Sequence, residues 1–556
     1  MEKNIPFSNL NRAETFNKLA EESFDLVVIG GGITGGGIAL DAASRGLKVA
    51  LLEKNDFASG TSSKSTKLIH GGLRYLKQFD FWLVKEVGSE RAIVHKLAPH
   101  LVLPEKMLLP LIENGSYGKW LTSIGLKVYD ILAQVTGEDQ RKMLEKKPAL
   151  KLEPLLPKKI LKGAGYYAEY RTDDARLTLE NIKTSLKYGA TALNYATVLD
   201  FEYNDGKISG VKVKDETSQK EITVKTAYVI NAAGPWVDEL RSINNSKKGK
   251  RLHLTKGVHL VFPKEKLPVR QSVYFDVPDG RMMFAIPRGK VTYVGTTDTN
   301  YTEDKDHVKV DLADAMYLIS AVNNMFPSVD LRLEDIVSSW AGLRPLIHEE
   351  GKSASELSRK DEIFVSDTGL ISMAGGKLTG YRKMAERAVD RIAKKIEEES
   401  DRKLKECRTA SIFLCGNENF KKSKHVQKYI DEVFERLEPE GFAKYDAWYL
   451  VTNYGTQTET ILETYATLKE KDNPTCLLKA ELHFGVQYEM VQNPMDFFVR
   501  RTGRLYFDIE SVRTYMDPVL TEFQKLTKLD GTTMAAYKNT LENLIEEHSN
   551  FSLERG

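Results

Sequence analysis

The order of apolar and polar residues near the beginning of the chain predicts a buried strand–helix–strand unit. Residues 26–29 form a short apolar run that ends in glycines, and a second run, 49–52, ends in Glu53. Helix-forming residues occupy 38–44 between the two runs, and Gly46 stands where a helix C-cap belongs. Short continuous apolar runs are typical of parallel strands that are covered on both faces.

The glycines after the first run have the spacing G-x-G-x-x-G, at Gly30, Gly32 and Gly35. This spacing is typical of a dinucleotide-binding turn, where glycines allow a tight turn, close approach to a pyrophosphate and close helix–strand packing. The phosphates would lie at the helix N-terminus, which favours anions. Glu53 stands 23 residues after Gly30, a distance at which an acid binds an adenosine ribose, and this acid disfavours NADP. A glycine turn in another kind of β-α-β unit is the alternative.

The segment SGTSSKSTKLIHGGLRYL (59–76) places small hydroxyl side chains directly after the predicted ribose acid. Such side chains donate to phosphate and ribose oxygens without bulk, and the pair Gly71-Gly72 permits close backbone approach to a flat ring. A solvated serine-rich loop would have the same composition. The position of the segment after a dinucleotide-binding strand favours contact with the cofactor.

Later segments alternate between sheet and helix until about residue 400. The turn residues 204–206 predict a hairpin, a helix is expected at roughly 311–325, and Gly375-Gly376 precede a long amphipathic helix whose N-terminus would also favour anions. Beyond 400 the pattern is helical and charged. It contains a basic patch that is typical of a solvated or salt-bridged face, formed by Arg500, Arg501 and Arg504.

Composition narrows the class of protein. A chain of 556 residues is expected to form more than one domain, and a formal charge of +2 does not indicate nucleic-acid binding. Three cysteines form no C-x-x-C pair, which indicates a reducing compartment and excludes a four-thiolate iron–sulfur cluster; no metal site is expected. The polar N-terminus has no apolar signal core, and no stretch is long and apolar enough to span a membrane.

Residues 116–135 place Trp120 and aliphatic residues at helical spacing, and a basic segment follows. An aromatic-anchored amphipathic helix beside lysines suits an interfacial membrane contact. A core-facing helix with a solvated charged face is the alternative. The basic residues of the segment are Arg141, Lys142, Lys146, Lys147, Lys151, Lys158, Lys159 and Lys162.

The ordered set of motifs resembles the FAD-dependent glycerol-3-phosphate dehydrogenases, the respiratory kind that reduces quinone. The resemblance begins with VVIGGGITGGGIALDAASRGLKVALLE and SSKSTKLIHGGLRYL and covers residues 24 to about 390. Its later motifs are NAAGPWVDEL (231–240), TKGVHLVFP (255–263), VGTTDTNY (294–301), SSWAGLRPL (338–346) and AGGKLTGYRKMAE (374–385).

The resemblance implies an α/β fold with a Rossmann-type FAD-binding domain, a β-sheet substrate domain like that of glycine oxidase or glutathione reductase, and an α-helical C-terminal domain. The expected FAD-binding segments are 24–95, 164–235 and 335–398. The substrate or cap domain would comprise 96–163, with the membrane contact, and 236–334. The helical domain would comprise 400–556.

The residues expected to contact FAD combine the two glycine turns, the hydroxyl loop and positions taken from the resemblance. Among the latter, Val198 is expected at the end of a strand on the adenine side, and His70 is expected to line the flavin. The full set is Gly30, Gly32, Ile33, Thr34, Gly35, Glu53, Thr61, Ser62, Ser63, Leu68, His70, Gly71, Val198, Ala233, Gly234, Gly376, Leu378 and Thr379.

A phosphorylated substrate needs fixed cations, and arginine binds phosphate bidentately. The resemblance assigns substrate contacts to Arg74, Tyr75, His259, Arg344 and Lys377, with the last three as catalytic residues. His259 is the best general base by residue type, but whether His259 or Arg344 manages the proton stays open. Without the resemblance, a lone histidine in TKGVHLVF would be read as a core residue.

The function implied is oxidation of sn-glycerol 3-phosphate to dihydroxyacetone phosphate, with electrons passing through FAD to quinone at the inner face of the cell membrane. The enzyme would be cytoplasmic and peripheral to that membrane, and a homodimer is allowed. A soluble oxidase that forms hydrogen peroxide is the main alternative, disfavoured because no long insertion interrupts the substrate domain. A non-catalytic flavin or nucleotide binder is a third hypothesis. A pyridine-nucleotide disulfide reductase is excluded, since a second G-x-G-x-x-G and a cysteine pair are missing.

Overall fold

The computed structural model describes residues 7–70, 81–113, 115, 140–348, 361–468, 470 and 472–551. The predicted amphipathic helix at 116–135 lies outside these residues. The basic segment that follows it, from Arg141 to Lys162, lies within them. Among the described helices, none is both long enough and apolar enough to cross a bilayer.

The described strands, in chain order, are β1 (Ser23–Ile29), β2 (Val49–Leu52), β3 (Leu68–Ile69), β4 (Leu103–Ile112), β5 (Lys142–Glu145), β6 (Leu161–Arg171), β7 (Thr191–Leu193), β8 (Ala196–Asn204), β9 (Lys207–Asp215), β10 (Glu221–Asn231), β11 (Arg251–Pro263), β12 (Ser272–Asp276), β13 (Met282–Arg288), β14 (Val291–Gly295), β15 (Thr299–Asn300), β16 (Ser338–His348), β17 (Glu362–Val365) and β18 (Ile371–Ala374).

The described α-helices are α1 (Arg12–Glu21), α2 (Ile33–Ser44), α3 (Phe81–Leu97), α4 (Lys146–Leu152), α5 (Asp174–Lys187), α6 (Val237–Ile243), α7 (Leu312–Met325), α8 (Tyr381–Ser400), α9 (Ser423–Leu437), α10 (Lys444–Tyr454), α11 (Thr458–Leu468), α12 (Asn473–Tyr488), α13 (Pro494–Asp496), α14 (Arg504–Phe507), α15 (Ile509–Thr527) and α16 (Gly531–Ser549). A π-helix, Phe497–Arg501, continues α13.

The first sheet has the strand order β17-β18-β10-β1-β2-β7, and β8 and β9 form a hairpin beside β10. Strands β7, β2, β1, β10 and β18 are parallel, as a doubly wound fold requires. The predicted first unit is confirmed: β1 and β2 pair with Leu26 opposite Val49, and α2 connects them. The helix begins at Ile33, before the helix-forming run.

Helix α2 is buried between two other helices of the same sheet. A Cβ on Gly36 would lie 3.2 Å from Ile182 of α5, and one on Gly37 would lie 3.0 Å from Tyr381 of α8. The glycine-rich sequence of α2 therefore serves close helix packing as well as the turn before it.

The second sheet has the order β15-β11-β14-β13-β12-β4-β6-β3, with β16 beside β11 and β5 beside β6. It is antiparallel apart from the pair β12 and β4. The chain passes between the two sheets several times, because β1–β2, β7–β10 and β17–β18 belong to the first sheet and the strands between them to the second. The boundaries of the six predicted segments stay a proposal.

Three local predictions have clear outcomes. The hairpin turn is confirmed: Asp205 and Gly206 have φ of 49° and 73°, the positive values of a type I′ turn, between β8 and β9. The helix at 311–325 is confirmed as α7. The position of Val198 was wrong, since this residue is the third of β8 and not the end of a strand. The chain turns before it, between β7 and β8.

The C-terminal helices pack against the second sheet, and the π-helix contacts α5. An aromatic cluster joins them to the second sheet, with the Trp340 ring of β16 5.2 Å from Tyr506 and 5.6 Å from Phe507 of α14. The predicted basic patch is salt-bridged and largely buried, since Arg501 is 1% exposed and Arg504 pairs with the buried Glu481 at 3.1 Å.

Candidate active site

A cavity of about 530 Å³ is lined by both sheets. The first sheet contributes the carboxyl ends of β1, β2 and β10, and the second contributes β11 and β16. Ligands of open α/β sheets bind at the carboxyl ends of the strands, so the cavity lies where this fold places a cofactor.

The G-x-G-x-x-G turn forms one wall of the cavity. Gly30 has φ of 113°, a value that L side chains rarely adopt, and Gly30 and Gly32 both line the cavity. Gly35 lies behind them: a Cβ there would be 1.8 Å from the Gly30 carbonyl oxygen. The Ile33 amide, at the start of α2, donates to Ser62 Oγ at 2.9 Å, which brings the hydroxyl loop to the helix N-terminus. These residues fit the pyrophosphate of a dinucleotide.

Glu53 is held rigidly at the end of β2. Its Oε2 accepts a hydrogen bond from the Gly31 amide at 2.7 Å, and its Oε1 accepts one from the Asn55 amide at 2.9 Å. Burial raises the pKa of Glu53, although the two amide donors oppose that effect. The carboxylate lines the cavity beside the glycine turn, as a ribose-binding acid would.

The cavity brings together most of the residues predicted for the site. Those that line it are Gly30, Gly32, Ile33, Thr34, Glu53, Thr61, Ser62, Leu68, His70, Val198, Ala233, Gly234, His259, Arg344, Gly376, Lys377, Leu378 and Thr379. Ser63 and Gly35 do not line it: Ser63 is 1% exposed, and its carbonyl oxygen accepts a hydrogen bond from Lys67. Three predicted residues lie outside the part of the chain that the structure describes, namely Gly71, Arg74 and Tyr75.

His259 of β11 is fixed on two sides. Its Nε2 and Thr66 Oγ1 are 2.9 Å apart, and its ring stacks on Trp340 with centroids 4.7 Å apart. Burial lowers the pKa of His259 well below its usual range, and the charges of Arg344 and Lys67 act in the same direction. The imidazole is therefore neutral at physiological pH, which is the form that accepts a proton.

Arg344 reaches the same face from the neighbouring strand. β16 pairs with β11 so that Arg344 is opposite Thr255, and its guanidinium lies across Gly257, where a Cβ would be 2.3 Å from Nη2. It donates to Thr296 Oγ1 at 2.7 Å and to the Thr297 carbonyl at 2.9 Å. These bonds hold the guanidinium in one direction at the cavity wall.

Lys377 lines the cavity in the glycine turn before α8, close to His70. Burial lowers the pKa of His70 to about 3, and the charge of Lys377 contributes. The charged residues of the described lining are four cations (Lys54, Lys64, Arg344, Lys377) and two carboxylates (Glu53, Glu239). Arg344 is also paired with Asp298 at 3.2 Å and Lys54 with Asp306 at 2.7 Å, so the positive excess is partly neutralised. The remaining positive charge suits anionic ligands that carry phosphate.

Comparison with known proteins agrees with this geometry. Residues 25–382 match the family model of the FAD dependent oxidoreductases, and residues 407–534 match the model of the C-terminal domain of alpha-glycerophosphate oxidase. Aerobic glycerol-3-phosphate dehydrogenase of Bacillus subtilis is 48% identical over 547 residues, 98% of both chains, and that of Staphylococcus aureus is 46% identical over 546 residues. The chain belongs to the aerobic glycerol-3-phosphate dehydrogenase family. FAD is therefore its cofactor.

Solved structures place the fold in the same family. The glycerol-3-phosphate dehydrogenase from Bacillus halodurans, complexed with FAD, has a TM-score of 0.84 and 43% identity and covers 99% of this chain. The L-alpha-glycerophosphate oxidase from Mycoplasma pneumoniae, with a TM-score of 0.54 and 20% identity, shares the fold. The predicted fold class, including its likeness to glycine oxidase and its helical C-terminal domain, is confirmed.

Some lining residues of this family member were not selected from the sequence. Trp236 and Lys54 line the cavity side by side, with Lys54 Nζ 4.3 Å from the Trp236 ring centre and 2.7 Å from Asp306. Burial lowers the pKa of Lys64 to about 8, and the charge of Arg500 adds to this. Trp236 stands in the motif NAAGPWVDEL, Lys64 stands in SSKST, and Lys54 directly follows Glu53. Their proximity to these motifs was the signal by which the sequence could have indicated them.

Proposed function

We propose that the protein oxidises sn-glycerol 3-phosphate to dihydroxyacetone phosphate and passes the electrons to a membrane quinone. The observation that carries the proposal is that His259, Arg344 and Lys377 line the same cavity as the dinucleotide-binding turn. The relatives with 46–48% identity along nearly the whole chain support the choice of substrate.

Bound FAD would supply the acceptor for the hydride that leaves C2 of the substrate. The glycine turn, Glu53 and the hydroxyl loop at 61–62 would hold its adenosine diphosphate part. The turn at 376–379 and His70 would lie along the ring system. These roles are assigned from the position of each residue on the cavity wall.

Arg344 and Lys377 would bind the oxygens of the substrate. The Arg344 guanidinium is already fixed by Thr296 and Thr297, so little side-chain entropy is lost when it binds phosphate. Arg74 and Tyr75 stay predicted partners of the same phosphate. Arg344→Ala is expected to lower kcat/KM by about 2–4 kcal/mol equivalent, because a charged partner is lost.

His259 would take the proton of the C2 hydroxyl, with Arg344 stabilising the developing negative charge. The imidazole is neutral and is oriented by Thr66 and Trp340, which supports this role. Its lowered pKa makes it a weak base, so a close cation that lowers the pKa of the hydroxyl is a necessary part of the proposal.

The test is anaerobic mixing of the purified holoenzyme with glycerol 3-phosphate. We expect the visible flavin band to bleach and a soluble quinone analogue to restore it. A flavin band that stays unchanged would contradict the proposed substrate. In air, turnover that releases stoichiometric hydrogen peroxide and is not accelerated by quinone would instead favour the oxidase.

For the membrane contact we propose the exposed lysines of β5, α4, the loop before β6 and the start of β6, at the cytoplasmic side of the membrane. This lysine segment also exposes Ile160 (38%), and its members are Lys142, Lys146, Lys147, Lys151, Lys158, Lys159 and Lys162. Lysines near an anionic surface each contribute about 1 kcal/mol of attraction, which salt screens. The homodimer stays a prediction.

This contact is tested by sedimentation with anionic vesicles. Replacement of Lys146, Lys147, Lys158 and Lys159 by Gln should abolish sedimentation at low salt. The matched control replaces four exposed lysines at and just before the start of α9, Lys421, Lys422, Lys424 and Lys428, and should sediment like the unaltered protein. Equal sedimentation of both variants would contradict the lysine segment as the contact.

A further inference from the structure

A group of buried charges joins the C-terminal helices to the loop that follows β2. It consists of Asp56 and Asp496, both 0–1% exposed, and Arg500 and Arg501 of the π-helix, and is called the Asp56 cluster below. Arg501 binds Asp56 through both oxygens, with Nη1 to Oδ2 at 2.7 Å and Nη2 to Oδ1 at 2.8 Å. Arg500 Nε binds the same Oδ2, and its Nη2 donates to Asp496 Oδ1 at 2.7 Å.

Arg500 and Arg501 are the last two residues of the π-helix, and both reach the carboxylate of Asp56. Arg501 is also held in place by the Glu489 carbonyl at the end of α12, which accepts from its Nε at 3.1 Å and from Nη2 at 2.8 Å. On the other side, Asn194 Nδ2 donates to Asp56 Oδ1 at 3.0 Å. The direction of the Asp56 carboxylate is thus set from both domains. π-Helical turns often occur at functional sites.

Asp56 lies three residues after Glu53 in a loop that is tied to the cofactor turn. The Ala58 amide donates to the Gly31 carbonyl at 3.0 Å, and the Phe57 ring packs against Gly31, where a Cβ would lie 2.6 Å from the ring. The Asn55 amide holds Glu53 Oε1. A displacement of Asp56 would therefore move Glu53 and the segment that leads to the hydroxyl loop.

Stability alone does not account for such a cluster. Two guanidiniums and two carboxylates lose their hydration in it, and buried ion pairs are often no more stabilising than apolar residues of the same volume. Their bidentate geometry does impose one arrangement on the groups that they join. We propose that Arg500 and Arg501 are positioning residues for FAD: through Asp56 they hold the loop that carries Glu53 in its binding conformation.

The consequence is that FAD affinity depends on residues more than 440 positions away in the sequence. Neither Arg500 nor Arg501 lines the cavity, so the effect would pass through Asp56 and its loop. Docking of those helices and retention of FAD become one linked equilibrium, since FAD binding to the correctly held loop would in turn strengthen docking.

The test compares the unaltered holoenzyme with Arg501→Lys, which keeps the positive charge but removes the guanidinium that binds Asp56 through two hydrogen bonds. We expect the FAD dissociation constant, measured from the fluorescence of FAD released on dilution, to rise about tenfold, because a hydrogen-bonded charge pair is disrupted. At a fixed excess of FAD, the stabilisation that FAD gives against thermal unfolding should fall by about 1.4 kcal/mol. Asp56→Asn should change both quantities in the same direction.

Arg504→Lys is the matched control, because Arg504 is three residues further along and pairs with the buried Glu481 but not with the loop after β2. It should lower thermal stability without changing FAD affinity. If Arg501→Lys does not fold, Arg500→Lys, whose side chain is 13% exposed, is measured in the same way. The proposal is overturned if the Arg501 or Arg500 variant loses stability in the FAD-free form yet binds FAD as tightly as the control.

Discussion

Arg344 and His259 are two charged or chargeable side chains that share one face of a strand pair. Arg344 lies opposite Thr255, and its guanidinium crosses Gly257 toward His259, two residues further along β11. Burial and this positive charge keep His259 neutral. The cation that would bind substrate therefore also sets the protonation state of the candidate base, so the two residues act together.

The protonation state of His259 gives a prediction about pH. His259→Gln should lower kcat/KM by about 10²–10⁴-fold, the usual contribution of a general base. Because the pKa of His259 lies well below 6.5, the imidazole is neutral throughout the range from about pH 6 to about pH 8. The ratio of kcat/KM between the unaltered protein and the variant should be constant over that range, and taking the ratio cancels ionisation of the substrate phosphate. A ratio that falls about tenfold per pH unit below pH 6.5 would contradict a lowered pKa.

Gly257 gives a second prediction at the scale of one residue. In Gly257→Ala the added Cβ would lie 2.3 Å from Arg344 Nη2 and 2.6 Å from Cζ, so the flexible guanidinium must move away. We expect KM for glycerol 3-phosphate to rise roughly 10–100-fold, the loss of one charged hydrogen-bond partner, with little change in Tm. Gly531→Ala, at a helix start with nothing within 4 Å, is the control. An unchanged KM in Gly257→Ala would remove Arg344 from the substrate site.

Elements differ in how far the sequence specifies them. β1, α2 and β2 were predicted because their signals are local: apolar runs, glycine spacing and an acid within about thirty residues. Val198 was misplaced because the short turn between β7 and β8 has no glycine or proline signal. The roles of His259 and Arg344 depended on family resemblance, since antiparallel pairing of β11 with β16 is not readable from either strand alone. The sequence allowed a salt-bridged face for Arg500 and Arg501, but it did not indicate Asp56 as their partner, because Asp56 is 444 and 445 residues away from them.

The β1–α2 turn gives a prediction at the scale of an element. In Gly35→Ala the new Cβ would lie 1.8 Å from the Gly30 carbonyl oxygen, and backbone does not yield as a side chain does. The turn must open, so FAD affinity should fall by about 10–100-fold, the cost of typical overpacking. Gly36→Ala, in the same helix, is the matched control, because the nearest contact of its Cβ is the Ile182 side chain at 3.2 Å. FAD content after gel filtration reports the FAD affinity of both variants. Equal FAD content in the two variants would contradict the close approach of α2 to the turn.

At the scale of the whole molecule, the helical domain is joined to the cofactor domain by a buried seam of charges. Arg176 of α5 binds Glu489 at 2.6 and 2.8 Å, Lys183 binds Glu489 at 3.0 Å, and Gln457 donates to Glu180 at 3.0 Å. These contacts and the Asp56 cluster lie side by side, because Glu489 contributes its carboxylate to one and its carbonyl to the other. The two domains are thus expected to unfold together.

His100 tests this seam through pH. It is 0% exposed beside Arg176 and Lys183, and burial, helped by those two charges, lowers its pKa to about 3. A lowered histidine pKa means that the unfolded chain binds the proton first, so stability is complete above about pH 6.5 and is lost as pH falls below it. Between about pH 6 and about pH 5, the holoenzyme should lose about 1.2 kcal/mol more than His100→Gln, measured by urea unfolding. All other titrating groups are common to both proteins. If both proteins lose the same free energy of unfolding over this range, His100 is protonated in the folded state without loss of stability, and the expectation is contradicted.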